Sequence, residues 1–191
     1  MDHKGMILYQ TVYESPVGVL TLTALEDALA ALSFPKERYP EEVERLKKEC
    51  EVCTPDADKT PRILKETREW LDMYFSGNIP DFTPALAPEG SAFRKMVWEE
   101  LLRIPYGCTK TYGQIAKQAA ERKGIARMSA QAVGGAVGHN PICIIIPCHR
   151  VVGTGGNLTG FGGGIRTKEA LLKLEGMDMS RFYIPQKGTA L

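Results

Sequence analysis

A cysteine and a histidine stand next to each other in residues 147–151, whose sequence is PCHRV. This segment follows an apolar run, residues 142–146, and precedes a glycine-rich stretch, residues 152–156. A thiolate is a strong nucleophile, and a nearby imidazole can take up the thiol proton. The pattern therefore predicts a reactive cysteine, Cys148, at the carboxyl end of a buried strand, with His149 as its base.

Chemistry at this pair needs a local bend and a third group. Adjacent residues of an extended strand point to opposite faces, so Cys148 and His149 can cooperate only through a turn or a bridging water. Pro147 and the glycines that follow favour such a bend. A buried carboxylate is expected to orient the imidazole. Glu175 is the candidate, because it ends an apolar helix, where the helix dipole disfavours a negative charge that has no other role.

The bulk properties describe an ordinary globular chain without a membrane segment. Its 191 residues allow one large domain or two small ones. No apolar run approaches the roughly 20 residues that span a bilayer, and the first residues lack the apolar core of a signal peptide. We therefore predict a cytoplasmic protein. The odd number of cysteines, 5, favours reduced thiols. Cys50 and Cys53 have metal-ligand spacing, but a structural zinc needs four ligands, so no metal is predicted.

The charge distribution is divided along the chain. Residues 1–90 hold 10 Lys and Arg against 17 Asp and Glu, whereas residues 91–191 hold 14 against 6. A basic second half, with a net charge of +8, favours an anionic partner, and nucleic acid is the leading candidate. The alternative interpretation is that acidic helices simply collect in the first half.

The first half is predicted to combine strands and helices. Residues 7–13, 19–24 and 28–34 have strand patterns, a charged helix follows from Pro40 to about residue 51, and an apolar stripe over 63–74 predicts a second helix. The proline-rich stretch 80–90 indicates a linker, and the charge changes sign there. We therefore predict two domains, residues 1–88 and 89–191.

Three helices are predicted to precede the reactive segment, capped by Ser91, Thr111 and Ser129. The third, residues 130–137, is made almost entirely of small residues and contains two glycines, which are costly inside a helix. Tight packing against another helix would explain this composition. A close approach to a nucleic-acid groove would explain it too, and the second and third helices fit a helix-turn-helix motif.

Several of these segments together resemble one family. The reactive PCHRV, the preceding GHNP of 138–141 and the later LLKLEG of 171–176 closely resemble the methylated-DNA–protein-cysteine methyltransferases, which repair O6-alkylguanine directly. YGQIA at 112–116, AVGGA at 132–136 and GGG at 162–164 match as well, and SPVG at 15–18 resembles the family's first domain. The resemblance implies an α/β (α+β) fold: a small N-terminal sheet-plus-helix domain joined to a mostly helical C-terminal domain with a winged-helix-like helix-turn-helix.

The resemblance also implies roles for individual residues. Cys148 accepts the alkyl group. His149, through a water, and Glu175 increase the thiolate character of Cys148. Asn140 stabilises the turn that presents the cysteine. Helix 130–137 enters the DNA minor groove. The implied base-pocket residues are Tyr112, Val151, Phe161, Gly162 and Gly163. The implied DNA-binding residues are Arg127, Ser129, Ala130, Gln131, Ala132 and Gly135.

The implied activity is that of a methylated-DNA–[protein]-cysteine S-methyltransferase. The enzyme transfers the methyl group of O6-methylguanine, and by extension of O4-methylthymine, irreversibly and once to its own Cys148. The substrate is double-stranded DNA from which the damaged nucleotide is flipped out. The enzyme needs no cofactor and works as a monomer. Two positions depart from the family pattern, since Gln131 stands where an arginine wedge is common and Phe161 where a tyrosine is common. The alternatives are a lesion-binding protein without transfer activity, which Cys148 argues against, a thiol hydrolase that turns over, and a plain helix-turn-helix regulator.

Overall fold

The computed structural model describes residues 5–35 and 41–185. The chain divides into two compact units, Met1–Glu89 and Gly90–Leu191. Within the described residues, no helix is both long enough and apolar enough to cross a membrane.

The first unit is built on a four-stranded sheet. Its strands are β1 (Ile7–Ser15), β2 (Gly18–Ala24), β3 (Leu29–Ser33) and β4 (Glu51–Cys53), in the order β3-β2-β1-β4. β1 pairs antiparallel with β2, with Tyr13 opposite Leu20, and β2 pairs antiparallel with β3. The sequence patterns predicted these three strands. They missed β4, which pairs parallel with β1 and is too short to show a periodicity.

Two helices complete this unit. They are α1 (Glu41–Glu49) and α2 (Arg62–Phe75). Leu46 of α1 joins Leu8, Leu25, Ala30 and Cys50 in a buried cluster. Both helices confirm the sequence prediction, although Pro40, the expected first-turn residue of α1, lies outside the described residues.

The second unit begins with three capped helices: α3 (Ala92–Leu102), α4 (Tyr112–Lys123) and α5 (Ala130–Gly138). The predicted caps are confirmed, because the hydroxyls of Ser91, Thr111 and Ser129 each accept a hydrogen bond from a first-turn backbone N–H. At Thr111 the Gln114 side chain also accepts from the Thr111 backbone N–H, which completes a capping box. α4 ends at Gly124, whose φ of 65° suits glycine.

Helices α3, α4 and α5 pack against one another. Trp98 of α3 is buried, and its indole Nε1–H donates to the Ala136 carbonyl of α5 at 2.9 Å. The Glu100 carboxylate of α3, also buried, pairs with Arg122 of α4 at 2.7 Å. α3 is thus the support that fixes both helices of the predicted helix-turn-helix.

The remaining elements of this unit surround the reactive segment. The strands β5 (Lys110–Thr111) and β6 (Val151–Val152) pair in parallel, and α6 (Ile165–Leu174) follows the glycine-rich loop. Val152, Leu158 and Leu172 form a buried cluster beneath that loop.

The apolar run 142–146 is not a strand, and this part of the sequence interpretation is wrong. The run is fully buried, as its composition requires, but it folds into successive turns in which Ile145 N–H donates to Cys143 O and Ile146 N–H to Ile142 O. Ile144 adopts a φ of 68°, which is incompatible with a strand. Cys148 begins a 3₁₀ turn, Cys148–Arg150, and the strand β6 follows the reactive residues instead of preceding them.

The Thr111 cap gives a stability prediction. Replacing Thr111 with Ala removes the hydroxyl that accepts from Gln114 N–H, so we expect the free energy of unfolding to fall by about 1 kcal/mol. Thr111→Ser keeps the hydroxyl and should remain within a few tenths of a kcal/mol of wild type. Urea unfolding of both variants measures the difference, and equal losses in the two would show that the cap contributes nothing.

Candidate active site

The side-chain amide of Asn140 holds the turn that presents Cys148. Its Nδ2 donates to the Ile146 carbonyl at 2.8 Å and lies 3.1 Å from Cys148 Sγ, and its Oδ1 accepts from Ile142 N–H at 3.0 Å. The amide thus supplies hydrogen bonds that a paired strand would otherwise give to a buried backbone. It also places an N–H donor on the sulfur, where it stabilises a thiolate more than a thiol.

The imidazole of His149, the residue after Cys148, contacts the Glu175 carboxylate. His149 is fully buried, and its Nε2 lies 2.7 Å from Glu175 Oε1. Glu175 is the C-terminal cap of α6, and its Oε2 also accepts from Gly107 N–H at 3.1 Å. A carboxylate can only accept here, so Nε2 carries the hydrogen of the neutral imidazole, which places the ring's lone pair on Nδ1.

Arg150 neutralises the same carboxylate. Its Nε lies 2.9 Å from Glu175 Oε2, its Nη2 lies 3.0 Å from Oε1, and its Nη1 donates to the Ile104 carbonyl at 2.6 Å. The guanidinium also lies over the Tyr106 ring, 5.7 Å from its centre. The pair is bidentate and buried, which is the geometry in which an arginine binds a carboxylate most strongly.

These contacts set the charge of the site at neutral pH. Burial alone would raise the pKa of Glu175, but the hydrogen bonds and charges of His149 and Arg150 outweigh it and hold the pKa at about 2. Burial lowers the pKa of His149 below its usual value. Glu175 is therefore ionised and His149 neutral, which is the state in which an imidazole can accept a proton.

Tyr112 contacts the glycine loop that follows the reactive segment. The Tyr112 hydroxyl donates to the Thr159 carbonyl at 3.3 Å, and burial raises the pKa of this hydroxyl, so it keeps its proton. Gly160 has a φ of +60°, and a Cβ there would lie 3.0 Å from the Tyr112 oxygen. Val151 and Phe161 are buried, with the Phe161 ring edge-on to His149, whereas Gly162 is exposed and Gly163 partly exposed.

Helix α5 presents a bare surface. Val133, Ala136 and Val137 face the core. The residues predicted to contact DNA are all exposed, namely Arg127, Ser129, Ala130, Gln131, Ala132 and Gly135. Gly134 packs against the Tyr112 ring, since a Cβ there would lie 3.8 Å from Tyr112 Cδ1. The Tyr112 side chain thus contacts both the bare helix and the glycine loop.

Two basic residues of the site were missed by the sequence interpretation. Arg150 follows the Cys-His pair directly, and an arginine inside a predicted buried segment was the available signal. Lys168 is fully buried on α6, and its Nζ donates to the carbonyls of Val151 and Thr159. Its position on an amphipathic helix gives no sequence signal of burial. No group of three or more metal-ligating side chains occurs among the residues that the structure describes.

Family models match both units of the chain. The model for the DNA-binding domain of 6-O-methylguanine DNA methyltransferase matches residues 92–177. The model for the ribonuclease-like domain of the same enzyme matches residues 8–88.

Curated relatives and a solved structure agree with these matches. The chain is 42% identical over 170 residues to the methylated-DNA–protein-cysteine methyltransferase of Methanosarcina acetivorans, covering 88% of this chain and 99% of the relative. It is 44% identical to that of Mycobacterium tuberculosis, covering 89% and 93%. The crystal structure of M. tuberculosis OGT in complex with DNA is similar with a TM-score of 0.71 at 39% identity, over 91% of this chain and 94% of that one.

The buried carboxylate gives a pH prediction. Glu175 has a folded pKa of about 2, below its unfolded value, so its stabilisation is complete above about pH 4.5 and is lost as the pH falls through 2. At pH 7, Glu175→Gln leaves Arg150 without its partner and should lower the free energy of unfolding by about 3–5 kcal/mol. This deficit should shrink between pH 4.5 and 2, because wild type then loses what the variant already lacks.

Urea unfolding at a series of pH values measures both curves. Glu169→Gln, at a partly exposed ion-paired carboxylate of α6, is the matched control and should cause a much smaller deficit at pH 7. A Glu175→Gln deficit that stays constant from pH 7 to 2 would contradict the assignment of this carboxylate as ionised and paired.

Proposed function

The chain belongs to the methylated-DNA–protein-cysteine methyltransferase family, and we propose that it repairs DNA by transferring the alkyl group of O6-methylguanine onto its own Cys148. The observation that carries this proposal is the arrangement around one sulfur. An amide nitrogen lies 3.1 Å from Cys148 Sγ, and a neutral imidazole, held by a buried carboxylate, belongs to the next residue in the chain. Asn140, His149 and Glu175 supply these groups.

The first step is ionisation of the thiol. The lone pair on His149 Nδ1 takes the Cys148 proton through a bridging water, and the imidazolium that forms is stabilised by the Glu175 carboxylate. Because Arg150 already neutralises Glu175, the carboxylate stays ionised whether His149 is charged or not. The Asn140 amide meanwhile donates to the sulfur, which favours the thiolate.

The second step is the transfer itself. The thiolate attacks the methyl carbon, a sulfur–carbon bond forms, and the carbon–O6 bond breaks with its electron pair moving onto guanine. A hydrogen-bond donor near the base lowers the cost of that developing charge. Tyr112 fits this role, because its hydroxyl keeps its proton and lies beside the glycine loop. The proton taken from the thiol finally replaces the methyl group on guanine, so the overall reaction needs no cofactor.

The product explains why one molecule repairs one lesion. S-Methylcysteine is a thioether and, unlike an acyl-enzyme, offers no carbonyl carbon for water to attack. Cys148 is also buried, with 6% of its surface exposed. The enzyme is consumed in the reaction.

DNA contact is assigned to the bare face of α5. Guanine O6 is stacked and paired in a duplex, so the damaged nucleotide must leave the helix to reach Cys148, at a cost of a few kcal/mol. A helix surface without long side chains can lie close to the floor of the minor groove. Exposed Ala130, Ala132 and Gly135 form such a surface. We propose that the protein acts on double-stranded DNA as a monomer.

Gln131 occupies the exposed position from which a side chain would fill the gap left by the flipped base. Its amide can hydrogen-bond to the orphaned partner base, but unlike an arginine it adds neither charge nor a cation–π contact.

The methyl transfer predicts a mass change at one residue. Incubation with an O6-methylguanine oligonucleotide should add about 14 Da, a net CH2, to the peptide that contains Cys148, at one equivalent per protein. Cys148→Ala should abolish the transfer. Cys108→Ala, which removes an exposed cysteine, is the control and should leave it intact. Intact mass and peptide mapping measure both, and demethylation that continues in Cys148→Ala would overturn the proposal.

A substitution on the exposed face of α5 should weaken DNA binding without changing the reactivity of the Cys148 thiol. Ala132→Glu puts a negative charge on the bare face, so we expect DNA affinity to fall at least about tenfold at low salt. Because Ala132 is exposed, folding of the variant and the reaction of its Cys148 with iodoacetamide should be unchanged. Ala132→Ser is the matched control. Fluorescence anisotropy with a labelled duplex measures the affinity, and equal affinity in Ala132→Glu would place the DNA elsewhere.

A further inference from the structure

A short segment after α6 pairs with the glycine loop, and the proposed reaction makes no use of it. The glycine loop comprises residues 153–164, between β6 and α6. Residues 178–184, which we call the C-terminal strap, follow residue 177, where the match to the DNA-binding domain ends. The family match therefore assigns no role to the strap, and its role must follow from its contacts.

The strap pairs with the loop through the backbone of one residue. Tyr183 N–H donates to the Gly156 carbonyl at 3.1 Å, and Leu158 N–H donates to the Tyr183 carbonyl at 2.9 Å. Tyr183 thus forms a parallel bridge with Asn157. Leu158 is buried, and a buried backbone N–H needs a partner. The strap supplies that partner.

Side-chain packing and a glycine bring the strap close to the loop. Met179 and Phe182 pack against the buried cluster that lies beneath the loop. Gly156 has a φ of +86°, and a Cβ there would overlap the Arg181 carbonyl oxygen. Both the backbone conformation and the close approach require glycine at this position. The loop is therefore shaped to receive the strap.

The start of the strap has a defined conformation of its own. Asp178 Oδ1 accepts from Ser180 N–H at 3.0 Å and from the Ser180 hydroxyl at 2.8 Å. The 3₁₀ turn Met179–Arg181 follows this cap. The turn directs the chain back to the loop, so the pairing of Tyr183 does not depend on a flexible connection.

The paired part of the loop leads directly to the proposed base pocket. Thr159 follows Leu158, and its carbonyl accepts from the Tyr112 hydroxyl at 3.3 Å and from Lys168 Nζ at 2.7 Å. Lys168 also donates to the Val151 carbonyl, which connects the loop with the strand after the reactive turn. A shift of the loop at Leu158 would therefore displace the partner of the Tyr112 hydroxyl.

A second contact joins the loop to the reactive residues. The Phe161 ring lies edge-on to the His149 imidazole, with 6.5 Å between the ring centres. Both side chains are buried. The loop thus contacts the proposed proton acceptor as well as the proposed hydrogen-bond donor to the base.

We propose that the C-terminal strap is a positioning element of the methyl transfer, which holds the glycine loop in the conformation that receives the flipped guanine. Tyr183, through its backbone, and Phe182, through its side chain, are the positioning residues. The strap acts through the loop, so the bonds made and broken in the transfer are unchanged. This inference rests on the proposed function for its catalytic consequence, but the coupling between strap and loop can be measured without DNA.

Two substitutions at Tyr183 separate its backbone from its side chain. Tyr183→Pro removes the N–H that donates to Gly156. Tyr183→Ala keeps this N–H and removes a side chain that is 52% exposed, so it is the matched control. Both substitutions are made in the full-length protein.

Single-turnover methyl transfer from an O6-methylguanine duplex, at saturating DNA, tests the consequence for the reaction. We expect Tyr183→Pro to lower the maximal rate about fivefold, because one lost hydrogen bond reduces the population of the productive loop conformation. Tyr183→Ala should transfer at the wild-type rate. A wild-type rate in Tyr183→Pro would overturn the proposal, as would an equal loss in Tyr183→Ala.

Two further measurements distinguish positioning from a general loss of structure. The affinity of Tyr183→Pro for the duplex, measured by fluorescence anisotropy, should equal that of wild type, because the proposed DNA surface is α5. The rate at which its Cys148 reacts with iodoacetamide should also be unchanged, because this reaction binds no base. An iodoacetamide rate that falls as much as the transfer rate would contradict a positioning role.

Amide hydrogen exchange tests the coupling between strap and loop without DNA. Peptides that cover residues 157–164 should exchange several-fold faster in Tyr183→Pro than in wild type, whereas peptides of α5 should be unchanged. Equal exchange of the loop in both proteins would overturn the proposal. A wild type that transfers no methyl group would instead refute the proposed function, so the two failures are distinguishable.

A second variant changes the strap through its side chain, in case the proline variant does not fold. Phe182→Ala removes the ring that packs against the cluster beneath the loop, so it should slow the transfer and speed the exchange of the loop. Phe182→Leu keeps an apolar side chain and should lie closer to wild type. Wild-type values of both measurements in Phe182→Ala would overturn the proposal.

Discussion

The Glu175 carboxylate lies fully buried at the C-terminal end of α6, where both desolvation and the helix dipole oppose a negative charge. It persists because Arg150, His149 and Gly107 N–H together satisfy both of its oxygens. This cluster joins the end of α6, the 3₁₀ turn and the loop after α3. The tautomer of His149 follows from it, and with the tautomer the lone pair on Nδ1 that the proposed mechanism uses.

The approach to Cys148 is held by side chains where a sheet would use strand pairing. Asn140 bonds to both ends of the buried turn 142–146, and Ile144 is kept in a left-handed conformation that costs a β-branched residue about 1–2 kcal/mol. A regular strand would turn Cys148 and His149 to opposite faces. The turn instead directs Cys148 Sγ towards the Asn140 amide. The strain is thus the cost of presenting a thiol from a buried segment.

The sequence predicted the elements whose signals are local. Helix caps at Ser91, Thr111 and Ser129 depend on one hydroxyl and the next turn, so the order of residues is enough to identify them. The run 142–146 was misread, because burial gives the same apolar composition to a strand and to a buried turn. The contact between His149 and Glu175 was predicted, because a negative charge at the C-terminal end of a helix is unfavourable and indicated another role for Glu175. Arg150 and Lys168 were not, because their burial depends on contacts made across many residues of sequence.

The net charge of the second half overstates the positive charge that is available to a partner, because some of its cations are buried. Its net charge of +8 counts Arg150 and Lys168, which are both buried in the site and offer nothing to a phosphate backbone. Arg122 forms an ion pair with buried Glu100. The cations that remain exposed around the helix-turn-helix include Lys123 and Arg127, and only such exposed charges can attract a phosphate backbone. Part of the positive charge of this half is thus used inside the fold, in ion pairs and hydrogen bonds, and a smaller part is available to an anionic partner.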